Sequence, residues 1–179
     1  MSVPFLGAQS VIVGDDEAFT CANDSGEIDM GSAARGSITV REAAILTDLA
    51  RGRCVLEIGT GTGFSAQSMI TTARSVVSID IDPYVIEHVF PRLFALGIEC
   101  ATEIPANRLF DLVFLDGNHS LSSVVADVER ARKVSARGGV LVFHDLSFSG
   151  VESGLRQLNL LDAVERFGTP LGLGMLKLA

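Results

Sequence analysis

The chain has 179 residues, 47% apolar and 20% charged, with 14 Lys plus Arg against 22 Asp plus Glu and a net charge of −8. That size and balance fit one globular domain and exclude disorder along the whole chain. An acidic chain with no cluster of Lys and Arg, no Trp and a single Tyr (Tyr84) excludes a nucleic-acid partner, because phosphate contacts need grouped cations and single strands need stacking platforms.

Residues 1–37 differ in texture from the rest. Ser10–Val13 and Ala18–Cys21 are short β-prone runs around Gly14-Asp15-Asp16-Glu17, which predicts a hairpin. The following stretch, rich in small and polar residues, reads as loop. This N-terminal extension is a candidate lid or dimer arm. It carries no basic-then-apolar block of a secretory signal.

The regular pattern starts at residue 38 and defines a domain over 38–179. Thr39-Val40-Arg41-Glu42 is a capping box, followed by Val40, Ala43, Ala44, Leu46, Leu49 and Ala50 at helical spacing and by Gly52 as a stop. Cys54–Ile58 is a short apolar strand that runs into a glycine-rich turn. Ala66, Met69, Ile70 and Ala73 mark a second helix, and Val76–Ile79 a second strand. Asp82-Pro83 predicts a helix start, with Asp82 as N-cap and Pro83 in first position. Pro91 predicts a kink in that helix.

Strands follow at Ile98–Thr102, Leu112–Leu115 and Val140–Phe143. A helix over Val124, Val125, Val128 and Ala131 should stop near Gly138-Gly139, and another spans Val151–Leu158. Two weaker strands lie near Ala163–Phe167 and Met175–Leu178. Only Gly168–Gly174 separates them, too short for a parallel crossover, so they should pair antiparallel. Alternating strands and helices predict an α/β fold with a mostly parallel sheet covered on both faces. Ligands in such sheets sit beyond the carboxyl ends of the strands.

No run of about 18 apolar residues predicts a membrane span. Cys21, Cys54 and Cys100 are far apart and lack C-x-x-C spacing. They are read as buried small apolar residues, and a cytoplasmic location is expected.

The residues that carry chemistry cluster at predicted strand ends. Glu57-Ile58-Gly59-Thr60-Gly61-Thr62-Gly63-Phe64-Ser65 has the pattern E-x-G-x-G-x-G. A dinucleotide fingerprint needs G-x-G-x-x-G, and Phe64 stands where its last glycine belongs. Glu57 would also repel a pyrophosphate, whereas it suits a cofactor bearing an ammonium and a sulfonium, such as S-adenosylmethionine. Asp80 ends the second strand, where an acid can accept both ribose hydroxyls. Asp116 and Asp145 end the fourth and fifth strands. On neighbouring strands they would lie about 4.8 Å apart and would repel without a cation between them, which predicts a divalent-ion site for Mg²⁺ or a similar ion. His119, in Asp116-Gly117-Asn118-His119, is a candidate general base. His144 should point to the opposite side of its strand from Asp145, into the core or behind the site.

Together, VLEIGTGTGFS, VVSIDIDP, DLVFLDGNHS and GGVLVFHD resemble the S-adenosylmethionine-dependent methyltransferases with a Rossmann-like fold. Within them the chain is similar to the catechol O-methyltransferase-like and macrocin-type branches. The resemblance implies a seven-stranded sheet in the order 3-2-1-4-5-7-6 with the last strand antiparallel. It places Glu57, Gly59, Thr60, Gly61, Thr62, Gly63 and Ser65 around the methionine end of the cofactor, Asp80 on the ribose, Ile81 on the adenine face and Glu103 near the adenine amine. Asp116 would border the cofactor and, with Asp145, match the metal ligands of the metal-dependent members; His119 would match the catalytic base. Where the catechol enzymes carry an Asn ligand after Asp145, this chain has Leu146, so a third ligand must come from elsewhere. The implied reaction is O-methylation of a small hydroxylated molecule (EC 2.1.1.-), with any lid supplied by residues 1–37 or by the partner in a homodimer. Two other readings remain: a cofactor-binding regulatory protein without turnover, and a nicotinamide-dependent oxidoreductase, which Glu57 and Phe64 both oppose.

Overall fold

The computed structural model describes residues 38–179; the expected hairpin at Ser10–Cys21, Cys21 itself and any lid formed by residues 1–37 lie outside the described residues. In chain order the elements are α1 (Val40–Ala50), β1 (Cys54–Ile58), α2 (Phe64–Ile70), β2 (Ser75–Ile79), a π-turn (Val85–Val89) leading into α3 (Phe90–Ala95), β3 (Glu99–Ala101), β4 (Phe110–Leu115), α4 (Leu121–Val134), β5 (Ser135–Phe143), α5 (Ser149–Gln157), a 3-10 turn (Leu161–Ala163), β6 (Glu165–Phe167) and β7 (Leu173–Lys177). One seven-stranded sheet runs β3-β2-β1-β4-β5-β7-β6. All pairs are parallel except β5 with β7 and β6 with β7. This is the Rossmann-like order that the sequence implied, including the antiparallel end.

Period-two alternation decides which residues face which layer. On one face Val55, Leu112, Phe114, Val140 and Val142 pack against Leu46, Met69 and Leu93 from α1, α2 and α3. On the other, Leu56, Val113, Leu141 and Phe143 pack against Val124, Val128, Val151 and Leu155 from α4 and α5. Both faces are covered, which is why the strands read as continuous apolar runs. Each fully buried Phe or Leu contributes roughly 1.5–3 kcal/mol to this core. Cys54 and Cys100 are free and only half-buried. Among the described residues no helix is long and apolar enough to cross a membrane.

Local signals explain the element ends, with two corrections. The capping box is complete: Thr39 Oγ1 accepts from Glu42 N, and the Glu42 carboxylate accepts from Thr39 N. Asp82 Oδ1 accepts from Tyr84 N at 2.8 Å, and the helix begins at Pro83. The expected kink at Pro91 takes the form of the π-turn just before it, closed by Phe90 N–H to Val85 O. Proline lacks the N–H that a regular turn would use, and the wider turn absorbs the defect. The helix expected to reach Gly138-Gly139 instead ends at Val134, where Ser135 Oγ bonds back to Ala131 O. The chain then joins β5 at once, through a register shift between the Phe110–Ser135 and Leu112–Val140 pairs. Gly138, at φ +73, supplies the left-handed step that this irregularity requires.

The register places the carboxyl ends of the central strands in line: Ile58 pairs with Ile79 and with Leu115, and Leu115 pairs with Phe143. The residues that follow them — Gly59, Asp80, Asp116 and His144 — therefore share one edge of the sheet. Between β3 and β4 the connection is a turn without a helix, and a groove of about 1150 Å³ opens there, bounded by that turn and by α4.

Candidate functional site

The β1–β2 half of the site is built around the glycine turn. Gly59 sits at φ +96, and a Cβ there would lie 2.1 Å from the carbonyl oxygen of Asp116. The end of β4 crosses so closely that only glycine fits. The Thr60 and Gly61 amides donate to Asp80 Oδ2 at 2.9 and 3.0 Å, and Asp82 N donates to Asp80 Oδ1 at 2.9 Å. Asp80 thus clamps the turn to the end of β2. Below the turn Glu57 is fully buried and accepts from the Ser65 and Ser78 hydroxyls; Ser78 in turn lies 2.7 Å from Thr60 Oγ1. Burial raises the Glu57 carboxyl to about 8, against the opposing effect of the two serines, so at neutral pH it is largely a neutral acid.

The groove wall carries Gly59, Gly61, Asp80, Ile81, Glu103 and Asp116. Ile81 is 80% exposed, an unusual state for a large apolar side chain. Glu103 is exposed on the β3–β4 turn. Glu57, Thr60, Gly63 and Ser65 lie buried behind this wall rather than on it, and Thr62, half-buried, does not line it either; Gly63, at φ +79, packs against Val89 and Leu93. Asp127 on α4 also lines the groove; burial raises its pKa, with Arg130 opposing. Nothing in the sequence singles Asp127 out from other helical surface acids.

The β4–β5 half is a cluster of charged side chains. His119 Nε2 lies 3.2 Å from Asp145 Oδ2 and 3.6 Å from Asp116 Oδ1. That nitrogen is buried and makes no hydrogen bond in line with either carboxylate. Contact with the Asp116 carboxylate raises the His119 pKa; burial opposes the rise and Asp145 adds to it. The ring leans on Phe148, with centroids 5.1 Å apart. Behind it, Gly150 at the start of α5 lets the His119 backbone approach, since a Cβ there would fall 2.0 Å from His119 O.

His144 departs from expectation. It joins the cluster directly: Nδ1 is 3.1 Å from Asp116 Oδ1 and 3.4 Å from Asp145 Oδ2. The reason is backbone geometry. Asp145 has φ +54, so the strand alternation ends at Phe143 and a left-handed step turns the Asp145 carboxylate back to the same side as His144. Such a conformation is uncommon for a residue other than glycine, and Asp tolerates it better than most. On the far side of the ring, His144 Nε2 lies 3.2 Å from Glu42 Oε2. Glu42, the capping-box acid of α1, is fully buried, and the sequence offered no sign of this second contact. With acceptors at both nitrogens, His144 carries hydrogen on both. Burial alone would lower its pKa, but Asp116, Asp145 and Glu42 together push it up strongly. For Glu42, burial acts upward, and the bonds from His144 and Thr39 outweigh it and hold the carboxyl low.

Three ligand atoms, one each from Asp116, His144 and Asp145, lie within 4.8 Å of one another. Two carboxylates and an imidazole are a donor set suited to a divalent ion, and the unbonded, buried His119 Nε2 faces the same carboxylates. The group fits a cation. Leu146 is buried in the core and takes no part in the cluster; His144 is the third member of the cluster.

A family described as "Methyltransferase domain" matches residues 56–146. No curated protein matches the chain in sequence. Among solved structures, the O-methyltransferase TomG from Streptomyces achromogenes, in complex with S-adenosylmethionine, is 19% identical, with 80% of this chain and 82% of that one covered and a TM-score of 0.64. The O-methyltransferase from Bacillus cereus, in complex with S-adenosylhomocysteine, is 17% identical over 81% and 84%, at a TM-score of 0.66. The N-methyltransferase NodS from Bradyrhizobium japonicum is 18% identical over 76% and 94%, at 0.59. At these identities the likeness establishes the fold, and the fold serves both acceptor atoms. The family match runs from the middle of β1 to just beyond the Asp145 turn and takes in half of the chain, which therefore belongs to the methyltransferase-domain family.

Proposed function

We propose that this methyltransferase uses S-adenosylmethionine to methylate a hydroxyl oxygen of a small molecule. One observation carries the reading: a single groove runs from the glycine turn and Asp80 to Asp116, and the Asp116 carboxylate in turn meets His119 and His144 beside Asp145. A cofactor lying in it would reach a proton acceptor and a cation site with its far end.

In this reading Asp80 takes the ribose hydroxyls from the groove wall, Ile81 covers the adenine and Glu103 meets the adenine amine. The Gly59–Gly63 turn cradles the methionine end, with Thr60 and Thr62 shaping it. Glu57 acts from beneath, through Ser65 and Ser78. When bound, the cofactor supplies an electrophilic methyl on a sulfonium. His119 is placed by Phe148 and the two carboxylates to take the proton from the acceptor hydroxyl as its oxygen attacks. Asp116, Asp145 and His144 would hold a divalent ion, which supplies positive charge that lowers the acceptor's pKa. The net acidic surface favours a small acceptor over nucleic acid.

The test is transfer of labelled methyl from S-adenosylmethionine to a panel of phenols, sugars and amines. Label on hydroxyl acceptors, lost on removal of His119, is expected. Label on amines alone would replace O- by N-methylation. Binding of the cofactor with no consumption across the panel would leave the regulatory alternative.

A further inference from the structure

We propose that Glu42 is the positioning residue of the cation site: it holds His144 through Nε2, so that Nδ1 faces Asp116 and Asp145, and the resulting nitrogen-containing set selects a divalent transition ion over Mg²⁺. The inference rests on the reading of Asp116, Asp145 and His144 as a cation site given above, and it deepens that reading.

The geometry carries it. Glu42 Oε2 gathers three donors: Thr39 N at 2.9 Å, Thr39 Oγ1 at 3.0 Å and His144 Nε2 at 3.2 Å. Glu42 is 0% exposed and His144 3% exposed, so no water competes for this contact. The capping box fixes the carboxylate on α1 independently of the site. Because a carboxylate only accepts, Nε2 keeps its hydrogen toward Glu42, and Nδ1 is the atom that would release its proton and ligate an ion. A carboxylate behind a ligating histidine sets the ring's orientation and raises its basicity, and its loss typically costs 10–100-fold in metal affinity. Mg²⁺ prefers oxygen donors and water, whereas imidazole suits the later first-row ions. Among the described residues, Asp116, His144 and Asp145 form the one group of three His, Cys, Asp or Glu side chains placed to share an ion.

The test loads the full-length protein with Co²⁺ and, separately, with Mg²⁺, and reads affinity by calorimetry and proton NMR. Wild-type protein should bind Co²⁺ at least tenfold more tightly than Mg²⁺. It should also show a hyperfine-shifted, exchangeable N–H resonance that disappears in His144→Asp and persists in His119→Gln. His144→Asp, an all-oxygen set, should shrink the Co²⁺ preference by about tenfold or more. In Glu42→Gln the Co²⁺ affinity should fall about 10–100-fold, and the N–H should exchange faster with solvent. Co²⁺ bound without any shifted N–H in the wild type overturns the proposal and leaves the carboxylate cation site standing. Unchanged affinity in a folded Glu42→Gln also overturns it. No binding of either ion removes the cation site and this proposal together, while the labelled-methyl assay reports separately on methyl transfer. The wild-type spectrum decides even if a variant fails to fold.

Discussion

The two halves of the site are constructed differently. At the β1–β2 end the acids are satisfied: Asp80 accepts three backbone amides, and Glu57 is capped by two hydroxyls. At the β4–β5 end three carboxylates and two imidazoles crowd together, one imidazole nitrogen has no hydrogen bond, and Asp145 holds a left-handed backbone. The first half, proposed above as the cofactor seat, is a turn tied down mainly by main-chain hydrogen bonds. The second keeps charge unresolved, as expected where a cation or reacting group completes the balance. Binding and chemistry should therefore fail separately when each half is damaged.

The largest separation should come from His119→Ala. Loss of a general base lowers turnover by about 10²–10⁴-fold, while S-adenosylhomocysteine affinity, measured by calorimetry, should stay near wild type because the seat does not include His119. Weaker binding and lower melting temperature together would instead make His119 a loop-ordering residue. Acceptors whose hydroxyl is already acidic should lose less.

Next in size, Asp80→Ala should weaken S-adenosylhomocysteine binding by about 1.5–3 kcal/mol, since charge-assisted bonds to the ribose go and the Thr60 and Gly61 amides lose their anchor. Calorimetry showing wild-type affinity in this variant would remove Asp80 from the cofactor seat.

A third effect concerns pH. The Glu57 carboxyl sits at about 8 in the folded chain against an ordinary 4.5, so the folded state keeps a proton that the unfolded chain releases. The stability this confers is complete below about pH 4.5, falls as pH rises and is gone once pH passes about 8. Melting temperature should decline across that window in wild type and decline less in Glu57→Gln. An identical profile in both would show that another group sets the slope.

The same contrast explains what could be read from the sequence. Strand positions and the glycine turn follow from short-range signals: apolar runs, E-x-G-x-G-x-G, the Asp82-Pro83 start; the sheet order is implied only by the family resemblance that these motifs carry. The β4–β5 cluster depends on contacts between distant parts of the chain. Asp116 and Asp145 are visible as strand-end acids, yet whether the Asp145 carboxylate falls on the same side as His144 turns on the φ of Asp145, which no composition or spacing encodes. Glu42 was hidden for a different reason. The capping box already accounted for its carboxylate, so nothing signalled that the same oxygen also meets His144. The end of α4 is not legible in the sequence because Gly138-Gly139 looks like a helix stop, whereas it shapes an irregularity inside β5.

The most direct test of the account is a calorimetric titration of the wild-type protein with S-adenosylhomocysteine, with NAD as the control ligand. A dissociation constant in the micromolar range, corresponding to about −8 kcal/mol, with no heat from NAD, is the expected result. Binding of NAD, or no binding of S-adenosylhomocysteine to folded protein, would contradict it.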